Sequence, residues 1–178
     1  MNQACSPAKT PCHPQKIHHP PRHGHHPRLT LHVGYALPRR GIPAPPSFRQ
    51  WVEATLRGVK RRRASELCIR IVAMEEGRTF NHNYRSKNKA TNVLSFAIEA
   101  SPGPKLPLIG DLVLCAPVVA SEAAAQGKPE RAHWAHLTVH GTLHLLGYDH
   151  IEDSQAKTME ALEIRILADL SITNPYLS

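Results

Sequence analysis

Apolar residues are sparse from Met1 to Arg28 and recur with regular periods thereafter. The early segment is crowded with Pro and His, as in Pro20-Pro21-Arg22-His23-Gly24-His25-His26-Pro27. It offers no face to bury, so residues 1–28 read as a disordered extension. From Leu29 the pattern changes. Leu29 to Ala36 reads as a first strand, and Glu66 to Ala73 alternates like a strand with one wet face. Thr91 to Phe96 and Leu108 to Leu114 are two further strands, separated by a Pro/Gly loop at Ser101 to Pro107.

Helical periods fill the intervals. Pro38 to Pro46 is a linker, after which Ser47 is expected to cap a helix running to about Leu56. Met74 to about Asn83 is a short helix, and Ala116 to Gln126 is a helix closed by Gly127. Pro129 opens the next helix, Glu130 to about Leu145. In the last, Asp153 to Leu170, residues Met159, Leu162, Ile166 and Leu170 share one face. No internal repeat is present. The pattern predicts one α+β domain over residues 29–178, with a small mixed sheet of about four strands and helices packed on it; the histidine spacing within Glu130 to Leu145, taken up below, makes that helix a zincin-like metal-site helix.

A chain of 178 residues suits one domain with a real core. Its net charge of +8 favours polyanionic partners without identifying one. Lys60 to Arg63 is a basic run that reads as a solvated loop. Cys5, Cys12, Cys68 and Cys115 form no C-x-x-C pair, and Cys68 and Cys115 fall in apolar runs, as buried free thiols of a reducing compartment would. No apolar run is long enough to span a bilayer, and no signal core is visible, so the expectation is a cytoplasmic protein without a membrane partner.

Candidate chemistry concentrates in His140-Gly-Thr-Leu-His144-Leu-Leu-Gly147-Tyr148-Asp149-His150. His140 and His144 are four residues apart, so on a helix both rings project from one face. Gly147 can adopt positive φ, end the helix and bring His150 back as a third ligand. Three neutral imidazoles leave a zinc ion one open position, as in a catalytic site. The spacing matches the metzincin proteases, but Gly141 stands where they carry the glutamate base. The metal-binding half of the motif is present and the peptidase half is not.

His133 and His136 extend the same helical stripe. For His133 a backbone hydrogen bond is expected, whereas His136, one turn from His140, is a candidate functional residue. A second constellation, Phe80 to Phe96, gathers polar and basic groups where a helix gives way to a strand; within it Arg85 can grip a phosphate bidentately. Asp111 and Asp149 are candidates to support a ligand histidine or to serve as turn residues. Gly141 implies a close approach, either of substrate or of a neighbouring strand. A dication with three neutral ligands, raised further by Arg85, suits a phosphodiester better than a neutral amide. Water on such an ion, with a pKa near about 7, needs no dedicated base.

The motif from His140 to His150 resembles the signature of the YbeY family, metal-dependent endoribonucleases of bacterial rRNA maturation. Asn83-Tyr-Arg85-Ser-Lys87-Asn-Lys89-Ala90-Thr91-Asn92-Val-Leu-Ser95-Phe96 and Gly110-Asp111-Leu-Val-Leu-Cys115 resemble its two other blocks, in the same order. The likeness runs from about Leu29 to Tyr176; it departs at Ala90, where the family often has proline, and in the N-terminal extension. It implies one zinc per domain held by His140, His144 and His150, with Arg85 as the functionally important arginine. The candidate catalytic residues are Arg85 and His140, and the candidate RNA contacts are Arg85, Lys87, Lys89 and His136. It further implies cleavage of single-stranded RNA in 16S rRNA 3′-end processing and ribosome quality control, with the small ribosomal subunit and the Era GTPase as partners. A metalloprotease-like hydrolase and a non-catalytic assembly factor with a structural zinc are the alternatives.

Overall fold

The computed structural model describes residues 28–98 and 106–177. Residues 1–27 of the proposed disordered extension, with Cys5 and Cys12, and the start of the Ser101 to Pro107 loop lie outside them. Four strands, β1 (Leu29–Tyr35), β2 (Ser65–Val72), β3 (Val93–Ala97) and β4 (Leu108–Cys115), form a mixed sheet in the order β1-β2-β4-β3. β1, β2 and β4 run parallel; β3 pairs antiparallel with β4 and forms one edge, with β1 at the other. Five helices pack on it: α1 (Pro45–Gly58), α2 (Met74–Arg85), α3 (Ala116–Ala125), α4 (Glu130–Leu145) and α5 (Asp153–Asp169).

The alternation in β2 sorts its residues as expected. Leu67, Ile69 and Ile71 enter the larger core beneath α1, α4 and α5, where Phe48, Trp51 and Trp134 meet edge to face. The other sheet face carries a smaller cluster, with Val72, Leu94, Val113 and Cys115 packed against Phe80 and Phe96. Cys115 is buried as expected, whereas Cys68 sits on the partly wet side of β2.

Several boundaries differ for local reasons. Ser47 does not cap α1: the helix opens at Pro45, whose fixed φ suits a first turn, and Ser47 instead accepts a hydrogen bond from Arg131 Nη1 at 3.0 Å. α2 runs two residues past Asn83, to Arg85, because Ser86 adopts φ 53° and its N–H closes on the His82 carbonyl. Thr91 and Asn92 precede the β3 ladder; the Asn92 Oδ1 accepts the Val93 N–H at 2.6 Å and turns the chain there.

Candidate metal centre

α4 is central, buried on most sides and packed against α1, α3, α5, β3 and β4. Burial of Trp134, Leu137, Val139 and Leu143 locks its rotation, which leaves the His140 and His144 face directed at a groove beside β3. At its C-terminal end Gly147 takes φ +89°, its N–H donates to the His144 carbonyl at 3.0 Å and the Tyr148 N–H to the Leu143 carbonyl at 3.1 Å. The reversal brings His150 back over the helix, with its ring 5.6 Å from that of His140 and 5.0 Å from that of His144.

One ligand atom from each of His140, His144 and His150 lies within 4.8 Å of the others. The Nε2 atoms of His140 and His144 are 3.1 Å apart. Tetrahedral zinc with nitrogens at about 2.05 Å separates its ligands by roughly 3.3 Å, so the helical pair fits such an ion. His144 is pushed toward the neutral form a metal ligand requires, first by burial and then by His140 and His150; Asp149 and the Tyr148 backbone oppose the shift.

The groove has a volume of about 500 Å³ and is lined by the three histidines, Arg85, Asn92, Ser95, Asp149 and Ile151 among others. Arg85 reaches it from the last turn of α2. The ion pairs of the described residues take up Arg49, Arg70 and Arg78, and leave Arg85 without a carboxylate partner. Lys87 and Lys89 are exposed on the loop beyond Arg85 and do not line the groove. Asp149 accepts the His150 backbone N–H at 2.8 Å, and its Oδ1 stands 4.0 Å from His144 Nδ1. Asp111 is exposed on β4, across from Cys68, and supports no ligand histidine.

The outer histidines of the stripe turn elsewhere. His136 Nε2 lies 3.1 Å from Glu163 Oε2, outside the groove lining. His133 finds a side chain rather than the expected backbone partner, with Nε2 2.9 Å from Glu122 Oε2. Glu122 also accepts from Asn92 Nδ2 at 2.9 Å, which ties α3 to the groove wall. Gly141 faces the sheet, not the groove: a Cβ there would meet Leu112 Cδ2 at 2.8 Å and Val93 Cγ2 at 3.2 Å. Of the two approaches its presence implied, the neighbouring strand is the one observed.

Sequence reasoning missed Glu163. This α5 carboxylate is fully buried, its Oε1 2.8 Å from His140 Nδ1, and it also accepts from the Tyr176 hydroxyl. Burial alone would raise its pKa; hydrogen bonds from His136 and His140, the charge on His140 and the Tyr176 hydroxyl outweigh that and hold it at about 2. Tyr176 is raised well above the ordinary phenol range by burial and then by Glu163. The signal was present, since Glu163 stands four residues after Met159 and three before Ile166, on the buried face.

Comparison with known proteins bears on this arrangement. Residues 44–171 match the family model described as Endoribonuclease YbeY. An Endoribonuclease YbeY of Xanthomonas axonopodis pv. citri is 58% identical over 153 residues, covering 84% of this chain and 94% of that protein. One from Stenotrophomonas maltophilia is 56% identical over the same shares. The solution structure of TM1509 from Thermotoga maritima superposes with a TM-score of 0.52 at 16% identity, covering 84% of this chain and all of that one, which is a likeness of fold.

Proposed function

The chain belongs to the endoribonuclease YbeY family, and from that membership we propose that it is a zinc-dependent endoribonuclease acting on single-stranded RNA in 16S rRNA 3′-end maturation and ribosome quality control. The observation that carries the reading is the convergence of three imidazoles on a groove also lined by Arg85, which has no carboxylate partner among the described residues. His140, His144 and His150 would hold the ion; an all-imidazole set with no thiolate suits zinc among the divalent metals. When bound, such an ion supplies Lewis-acid stabilisation and lowers the pKa of water.

The remaining work falls to the chain's own groups. The Arg85 guanidinium offers a planar fork to the scissile phosphate and meets the negative charge that grows on it. Lys87 and Lys89 add positive charge on the exposed loop beyond Arg85, while Asp149 is the carboxylate lining the groove among the described residues. His136 is engaged with Glu163 and does not line the groove. A peptidase reading is disfavoured because position 141 looks into β3 and β4 and cannot present a base to the ligands. The proposed setting is the cytoplasm, with the small ribosomal subunit and the Era GTPase as partners; among the described residues no helix is long and apolar enough to cross a membrane.

The test is zinc analysis of His144→Ala paired with mapping of 16S rRNA 3′ ends in cells carrying it. Loss of the metal and accumulation of unprocessed ends are expected. Normal ends from a zinc-free variant would reduce the ion to a dispensable structural element, and full zinc occupancy after replacing both His140 and His144 would defeat the ligand assignment.

A further inference from the structure

The buried positions of α5 are Met159, Glu163, Ile166 and Leu167. Three of them are apolar and belong to the main core; Glu163, with 0% exposure, is the exception. An apolar side chain would fill that place without stripping water from a carboxylate. Stability therefore does not explain the residue, and its contacts suggest what does. Oε1 lies 2.8 Å from His140 Nδ1; Oε2 lies 3.1 Å from His136 Nε2 and also accepts the Tyr176 hydroxyl.

A carboxylate has no proton to give, so His140 donates from Nδ1, and in its neutral form its Nε2 then carries only a lone pair. That Nε2 is the atom facing His144 Nε2. Among the described residues, His140 is the one of the three histidines whose ring nitrogen hydrogen-bonds a carboxylate; Asp149 Oδ1 stands 4.0 Å from His144 Nδ1 and is partly exposed. Tyr176 is anchored in turn, since the Pro175 carbonyl accepts from Lys128 Nζ and the Tyr176 ring packs edge-on against His136 at 5.6 Å.

We propose that Glu163 is a positioning residue for the metal centre, holding His140 as the Nδ1–H tautomer with Nε2 turned toward the ion, and that Tyr176 fastens the C-terminal segment to this carboxylate. The inference rests on the reading of His140, His144 and His150 as metal ligands. A carboxylate behind a ligand imidazole raises its basicity and removes rotational freedom that binding would otherwise have to quench. The C-terminal segment thereby contributes to metal affinity without touching the ion.

The experiment uses the full-length chain and zinc competition against a chromophoric chelator. The double variant His140→Ala/His144→Ala serves to subtract zinc held elsewhere, including by the six histidines before Arg28. Glu163→Gln should weaken the remaining affinity by roughly 10- to 100-fold, and Tyr176→Phe by roughly two- to tenfold, because the carboxylate stays. In the metal-free wild type, side-chain ¹⁵N shifts should show His140 protonated at Nδ1 and bare at Nε2, which a merely space-filling Glu163 would not enforce. Absence of triad-bound zinc in the wild type would remove the metal assignment and this inference with it. Triad-bound zinc with unchanged affinity in both variants, or His140 protonated at Nε2, would overturn the inference alone. Should Glu163→Gln fail to fold, Tyr176→Phe and the tautomer decide the question.

Discussion

Replacing Gly141 with alanine should destabilise the protein even though alanine is the better helix former. The added Cβ would stand 2.8 Å from Leu112 Cδ2, 3.2 Å from Ser95 Oγ and 3.2 Å from Val93 Cγ2. Leu112 is fully buried, and Val93 is β-branched and stiff at χ1, so neither has free space to retreat into. Helix propensity returns about 1 kcal/mol. Overpacking a filled site costs about 1–3 kcal/mol, and a mid-range value leaves a net loss of about 1 kcal/mol. For a domain of this size that lowers the Tm by roughly 2–4 °C. Relief requires α4 to ease away from β3, which shifts His140 relative to Arg85, so rRNA maturation should slow as well. Gly141→Glu, which restores the peptidase motif, carries the same conflict further. Its buried, unpaired carboxylate adds several kcal/mol, comparable with a total stability of about 5–15 kcal/mol, so neither a native fold nor peptidase activity should result. Calorimetric melting of the alanine variant is the deciding measurement; a Tm at or above that of the wild type would refute the packing argument.

Arg85→Lys keeps the charge and loses the fork, so 16S rRNA maturation should slow clearly with the Tm near wild type; equal activity in the two proteins would return Arg85 to ordinary surface duty. Gly147→Ala forces a β-carbon onto a residue at φ +89°, at a cost of about 1–2 kcal/mol, and disturbs the return of His150. Zinc affinity should drop together with thermal stability, and an unchanged chelator competition curve would contradict the role given to the turn. Deleting residues 1–27 should leave melting and 16S rRNA end maturation intact, with any loss of RNA affinity confined to low salt, where Lys9, Lys16 and Arg22 still act on phosphates; unprocessed ends in cells expressing only the shortened chain would show the segment to be functional.

The three-histidine cluster was legible from residue order because each step toward it is short-range. A four-residue helical spacing aligns His140 with His144, and a glycine able to take positive φ three residues on returns His150. Period-two and period-3.6 patterns likewise marked four strands and five helices to within a few residues of their observed bounds, since burial of one face imposes those periods directly. They failed where polar side chains met groups from elsewhere: Ser47 looked like a cap and serves Arg131 from α4, and His133 looked like a backbone donor and meets Glu122 from α3. The periodicity of α5 could mark Glu163 as inward-facing but not say that His140, 23 residues earlier, lies opposite. Nor could the sequence tell which neighbour crowds Gly141, because that depends on β3 joining β4 at the sheet edge beneath α4. A period specifies which face of an element leaves water. What that face then touches is settled by the packing of whole helices and strands against one another, and the groove, the Arg85 wall and the carboxylate behind His140 all belong to that second level.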